Sequence, residues 1–169
     1  HASLLIGVRM APGQMLLIQG DAVSSYMTWQ LALQRLTRQM EERPADPNPG
    51  LALARMALNE KQVDQLEAGL DHAVSSLSHT PQTDRESKRE RVFEDMIELA
   101  RDATIRDRVE AADKTFERLD TVAVTPGQRV ETRLFHGDHL SRSGRVDQAV
   151  DTYQQILLSP ELAGESIGH

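Results

Sequence analysis

The stretch Arg129–Pro160, RVETRLFHGDHLSRSGRVDQAVDTYQQILLSP, constrains the fold more than any other part of the chain. Leu134, Gly137 and Leu140, and then Val146, Ala149, Val150, Tyr153, Ile156 and Leu157, recur at steps of three and four. That spacing puts each set on one face of a helix and not on one face of a strand. The stretch therefore predicts two short helices joined by a turn at Ser143-Gly144, each with one apolar stripe. Gly137 and Ala149 are small enough to let the helices cross closely. Gly144 supplies the positive φ that a tight turn requires, and Pro160 lies just past the second helix. Such a hairpin cannot bury its apolar stripes alone, so the chain must supply more layers.

The sequence upstream supplies them. Trp29, Leu33, Leu36 and Met40 line one face of a helix predicted over 28–43, with Arg35, Arg38 and Arg43 off the stripe. Pro44-Ala-Asp-Pro-Asn-Pro-Gly50 ends it and forms the main linker-like stretch. Asn48-Pro49 has the form of a helix cap followed by Pro in the first turn. A helix with Leu51, Leu53, Ala54, Met56, Ala57 and Leu58 follows, then a turn near Asn59–Lys61. The next helix carries Val63, Leu66, Leu70, Ala73, Val74 and Leu77. Thr83–Glu86 has capping-box spacing and opens a helix to about Asp102, with Val92, Met96, Leu99, Ala100 and Ala103 on its stripe. Its first two turns, Asp84–Arg91, are almost entirely charged and are expected to be a solvated extension, with Asp84–Lys88 and Glu86–Arg89 as same-face pairs. Val109, Ala112, Phe116 and Leu119 mark one more helix, and Thr125-Pro126-Gly127-Gln128 combines a capping box with Pro in the first turn.

Residues 1–27 differ in pattern. Met15–Ile18 is a short apolar run between Pro12-Gly13 and Gly20-Asp21, and Ala22–Met27 is a second β-prone run, so a β-hairpin is expected there. A lone hairpin is marginal in water, so this segment reads as the remnant of a neighbouring domain. Leu4-Leu5-Ile6 has no charged region ahead of it, so it does not read as a signal peptide, and the opening on His1 without an initiating Met suggests a domain fragment of a longer protein. An exposed strand edge in 1–27 would offer a route to a homodimer.

Composition narrows the chemistry. The chain of 169 residues has no Cys, which removes disulfide and thiol chemistry. Aromatics are only 4 %, so Ala and Leu carry the core, a balance suited to closely packed helices. The net charge of −7 argues against a nucleic-acid partner, and Met15–Ile18 is far too short to span a membrane.

The order of small, large and turn residues in Arg129–Pro160 resembles the tetratricopeptide repeat, a helix–turn–helix of 34 residues. Gly137, Gly144, Ala149 and Tyr153 fall on four of its signature positions, whereas Arg133 stands where the family usually has Trp. Placing Leu66 on the Ala149 position puts Leu70 on Tyr153 and Ala54 on Gly137. Placing Ala112 there puts Phe116 on Tyr153 and Ala100 on Gly137. The resemblance implies a mainly α fold: antiparallel hairpins stacked as a TPR-like α-solenoid over 28–169, with repeats at about 47–80, 93–124 and 129–162. In such arrays the first helix of each hairpin lines a groove that takes peptides. By repeat position those residues are Arg55, Asn59, Glu94, Arg101, Asp138 and Arg142. The family's chaperone-tail clamp is missing, because Leu51 and Arg55 occupy two of its positions.

Met10–Met27, MAPGQMLLIQGDAVSSYM, resembles the closing strands of a pyrroloquinoline-quinone-like β-propeller. The order hairpin, helix, Pro/Asp linker and degenerate repeats is similar to large bacterial proteins of that sort. This resemblance implies a periplasmic or cell-envelope location. Without it a cytoplasmic one is expected.

No catalytic motif is present: there is no phosphate-cradling Gly loop, nucleophile elbow or zincin helix. His136, Asp138 and His139 are the one candidate metal set, since two His at i, i+3 share a helix face. Position 136 points inward in the repeat reading and no third ligand lies nearby in sequence, and no cofactor is expected. The acidic cluster Glu94, Asp95 and Glu98 offers no second group to divide acid and base roles. The expected function is non-catalytic: a protein-interaction or scaffold module that binds a protein, a peptide or a neighbouring domain of the same chain. The alternatives are a structural brace for an adjacent β-propeller and a metal-dependent hydrolase.

Overall fold

A computed structural model describes residues 28–159. The β-hairpin expected over 1–27, the dimer expected through it, and Pro160 lie outside the described residues. The chain divides into two compact units, His1–Gln39 and Met40–His169. Among the described residues α1 runs over 28–42, with residues 40–42 counted in the second unit. Trp29, Leu33, Leu36 and Met40 are half-buried while Arg35 and Arg38 are exposed, as the stripe requires.

The second unit contains α2 (Asn48–Glu60), α3 (Val63–Ser76), α4 (Gln82–Ile105), α5 (Val109–Val122), α6 (Pro126–Arg142) and α7 (Val146–Leu157). The described part of the chain is thus all helical, and α2–α7 form three antiparallel pairs stacked in chain order as a solenoid-like array. Each pair packs most extensively within itself. The core is mainly aliphatic and runs through the stack, from Leu53, Ala54, Leu66 and Leu70 to Met96, Ala100, Ala112 and Leu119, with the Phe116 ring among them.

The three pairs turn in the same way. Lys61, Asp107 and Gly144 occupy one repeat position and all have positive φ, at 57°, 54° and 79°. The residue after each donates its backbone N–H five residues back: Gln62 to Ala57 at 2.9 Å, Arg108 to Ala103 at 2.9 Å, and Arg145 to Leu140 at 2.8 Å. This is the hydrogen-bond closure that a left-handed residue makes at a helix C-terminus. Only the third copy uses Gly. Lys61 and Asp107 adopt a conformation that costs a side-chain-bearing residue energy, which the closure and the packing of the pair must offset.

The close crossings also recur with different residues. In the first pair Gly50 on α2 and Gly69 on α3 meet backbone to backbone, and a Cβ on either would run into the other's carbonyl oxygen. In the second pair Ala100 and Ala112 are both fully buried. In the third the Tyr153 ring covers Gly137. The 46 positions from Leu66 to Ala112, against 37 from Ala112 to Ala149, are matched by α4, which at 24 residues is the longest helix.

Helix starts correct two expectations. Thr125 caps α6 with the full box: Gln128 N–H donates to Thr125 Oγ1 at 3.2 Å, and Thr125 N–H donates to Gln128 Oε1 at 3.3 Å. The cap expected at Asn48 and the box expected at Thr83–Glu86 do not form. Asn48 is already inside α2, Pro47 is the flanking residue, and the Asn48 N–H donates to Asp46 Oδ1 at 3.0 Å. Helix α4 begins at Gln82, one residue before Thr83, because the extended Pro81 ends the preceding loop there. The charged start of α4 is not simply solvated. Lys88 Nζ donates to the Ala45 carbonyl at 2.7 Å and Arg85 to the Thr80 carbonyl at 3.0 Å, so both side chains tie the helix to the rest of the unit.

Candidate functional site

The first helices α2, α4 and α6 lie side by side, with α4 in the middle. Two adjoining clefts open along them. One, of about 570 Å³, is lined by Arg55 and Asn59 from α2 and by Glu98, Leu99, Arg101, Asp102 and Ile105 from α4, with Arg106. The other, of about 170 Å³, is lined by Arg101, Thr104 and Ile105 and by Phe135, Asp138 and Arg142 of α6. Arg101 and Ile105 belong to both. Five of the six groove residues expected from repeat position therefore come together: Arg55, Asn59, Arg101, Asp138 and Arg142. Glu94 is the exception; it is exposed on α4 and lines neither cleft. A third cleft of about 390 Å³ lies toward the start of α2, between the linker and Lys88, Val92 and Asp95.

The charges in the paired clefts are mostly matched internally. Arg55 bonds Asp95, whose side chain stands between the third cleft and the first. Arg106 donates from Nε to Asp102 at 2.8 Å and from Nη1 to Asn59 Oδ1 at 2.6 Å. Arg142 donates to Asp138 at 3.0 Å. Arg101 is held differently: its guanidinium lies 4.6 Å over the Phe135 ring, and among the described residues it has no acidic partner. A cation over an aromatic face keeps its in-plane N–H donors open to a carboxylate. Beside it Ile105 is an exposed apolar side chain. The shared wall of the two clefts thus offers one bidentate donor and one apolar surface. Phe135 and Ile105 were not singled out from the sequence. Ile105 lies at the end of α4, past the stripe, and Phe135 sits outside the apolar set of α6.

The proposed metal set does not assemble. Asp138 faces the cleft and pairs with Arg142. His136 and His139 face the other way, onto α5, where both stack on Phe116 at ring distances of 4.8 and 5.6 Å. His139 is buried, and its Nε2 lies 2.8 Å from Asp113 Oδ1 and 2.9 Å from Arg145 Nη2. One ring nitrogen cannot donate and accept at once, so the tautomer of His139 decides which neighbour it bonds. Arg145 itself donates to both oxygens of Asp113, at 2.8 and 3.2 Å. Burial pushes the Asp113 carboxyl up, but the bonds from Arg145 and His139 outweigh it and hold the group below its ordinary range. Burial holds His136 below the ordinary imidazole value. Among the described residues, no group of three or more His, Asp or Glu is placed to hold a metal ion, and no helix is long and apolar enough to cross a membrane.

Compared with protein-family models, with curated proteins and with solved structures, the chain matches none.

Proposed function

We propose that this chain is a non-catalytic interaction module, a tetratricopeptide-like solenoid whose first helices hold a segment of a partner protein or of a neighbouring domain. The observation that carries this reading is the convergence of Arg55, Asn59, Arg101, Asp138 and Arg142 on two clefts with Arg101 and Ile105 between them. The repeat reading has separate support in the common turn at Lys61, Asp107 and Gly144. Because Arg55, Arg106 and Arg142 already have carboxylate partners, the groove is not a general sink for acidic chains. The best match is an extended peptide with one carboxylate for Arg101 and an adjacent apolar side chain for Ile105 and Phe135.

Selection of peptides from a random displayed library tests this reading. Enriched peptides should carry Asp or Glu next to a Leu, Ile or aromatic residue. Calorimetric titration should show their affinity falling about tenfold or more in Arg101→Ala, the loss expected of a charge-assisted hydrogen-bond pair. No enriched sequence, or peptides that bind Arg101→Ala as well as the wild type, would overturn the proposal.

A further inference from the structure

The third cleft, of about 390 Å³, carries a charge pattern unlike that of the paired clefts. Its cations are Arg43 from the linker and Lys88 and Arg91 from α4, and its acids are Asp46 and Asp95. Asp95 stands four residues after Arg91, the spacing of a same-face ion pair, but it is taken by Arg55. Arg43 and Arg91 are both exposed, and neither has a hydrogen-bond or ion-pair partner among the described residues. Asp46 is thus the one acid of the cleft left to set against three cations, which leaves two positive charges unmatched. The wall on the linker side is fixed. Lys88 Nζ donates to the Ala45 carbonyl at 2.7 Å, and the Asp46 N–H donates to the Arg43 carbonyl at 3.0 Å. His72 Nε2 of α3 lies 2.8 Å from the Asp46 carbonyl oxygen and must donate to it, because a carbonyl only accepts. The linker is thereby held against α3 and α4, and the Lys88 ammonium keeps two of its three N–H donors for a ligand. Pro44 and Leu51 supply apolar lining beside the charges.

We propose that this cleft binds a phosphate monoester, its dianion held by the guanidiniums of Arg43 and Arg91 with Lys88 as a further donor, and its organic body against Pro44 and Leu51. A guanidinium presents paired N–H donors that match two phosphate oxygens. A phosphate monoester carries a charge of about −1.5 to −2 at neutral pH, which balances the two unmatched cations, whereas a carboxylate leaves one of them over. The site does not rest on the Arg101 reading, since none of its lining residues belongs to the paired clefts. The Asp95–Arg55 pair separates it from them, so a phosphorylated chain lying in the groove and a free small phosphate ester both offer the chemistry it takes.

Calorimetric titration of the full chain with phenyl phosphate tests the proposal, with methyl phenyl phosphate as the control that has a similar body and one charge fewer. Phenyl phosphate should bind about tenfold or more tighter than the methyl ester. Arg43→Gln and Arg91→Gln should each weaken it about tenfold or more, the loss expected of a charge-assisted hydrogen-bond pair. Each should leave the circular-dichroism melt unchanged, because neither side chain has a partner to lose, and Arg101→Ala should bind phenyl phosphate as the wild type does. A phosphotyrosine peptide distinguishes the two sources. Affinity above that of phenyl phosphate, lost again in Arg101→Ala, supports a phosphorylated chain that continues into the paired clefts. Equal affinity supports a free small ester at the same site. The proposal is overturned if phenyl phosphate does not bind, if the methyl ester binds as tightly, or if Arg43→Gln and Arg91→Gln bind phenyl phosphate as the wild type does.

Discussion

The two internal junctions of the stack use the same receiving position and answer it with different chemistry. Between the first and second pairs, Glu67 of α3 is met by Arg118 and Lys114 of α5, with Asp71 as a second acceptor for Arg118 at 2.9 Å. Both partners come from the second helix of the incoming pair, and α3 and α5 pack closely beside them. Between the second and third pairs, Asp113 of α5 is met by His139 of α6 and by Arg145 from the turn, and a stack of Phe116, His136 and His139 replaces an aliphatic contact. The first junction is joined by permanent charges at its rim. The second keeps a permanent ion pair, Asp113–Arg145, and adds imidazoles at its centre. A solenoid is held by neighbour-to-neighbour interfaces, so two junctions of different chemistry give it two separately addressable joints.

Truncation at the shared large position should give the largest effect. Phe116→Ala is expected to cost about 3–5 kcal/mol and Leu70→Ala about 2–5 kcal/mol, since both side chains are buried. The two should differ in where the loss appears. Hydrogen exchange should rise mainly over 126–157 for Phe116→Ala and over 48–76 for Leu70→Ala. Uniform loss of protection in both variants would mean that the junctions are not separate joints and that the three pairs open as one unit.

Much of this architecture was legible in the sequence, and the reason is repetition. The small residues Ala54, Ala100 and Gly137, opposite Leu66, Ala112 and Ala149, carry the register at fixed spacing, and Thr125–Gln128 carries its own cap. What stayed hidden depends on tertiary neighbours. Lys61 and Asp107 give no local sign of positive φ, because only the glycine of the third copy has the composition of that turn. The Gly50–Gly69 contact could not be read, since it falls at a repeat position that holds Met96 and Thr115 in the second pair and Arg133 and Thr152 in the third. The groove was located by repeat position, yet Glu94 failed to join it and Phe135 and Ile105 went unnoticed. Periodicity says which face a residue is on, whereas a cleft also depends on the neighbouring helix. The same limit explains α7. Of its apolar stripe Ala149 and Ile156 are buried, Tyr153 lies over Gly137 of α6 yet stays 37 % exposed, and no fourth pair follows among the described residues.

The second joint should respond to pH and the first should not. His136 is held below its ordinary value by burial, with Asp120, Asp113, Arg145 and His139 as the charged or titratable groups acting on it. Its proton affinity is thus lower in the folded state than in the unfolded one. Between the two values the unfolded chain binds more protons, so stability rises with pH across that window and is complete above the ordinary imidazole value of about 6.5. The urea midpoint should fall as the pH is lowered from 7.5 toward 5.5. His136→Phe, which keeps a ring against Phe116, should flatten that fall. An equal slope in the variant would move the pH response to another group and remove imidazole chemistry from the distinction between the joints.

The smallest effect is expected at the rim of the first joint. Arg118 holds Glu67 below the ordinary carboxylate range, and the bonds to Asp71 and Glu67 hold Arg118 further toward its charged form. These carboxylates remain open to water, where screening and side-chain entropy consume most of the Coulomb gain. Glu67→Gln should therefore lower the urea midpoint less than either truncation does, with no pH slope near neutrality. The difference from wild type should shrink as salt rises from 0.05 to 0.5 M, roughly a threefold shortening of the screening length. A loss that persists at high salt would mean that Glu67 acts through packing and hydrogen-bond geometry. The first joint would then resemble the second, where Asp113 is fixed by Arg145 and His139, and charge would cease to distinguish them.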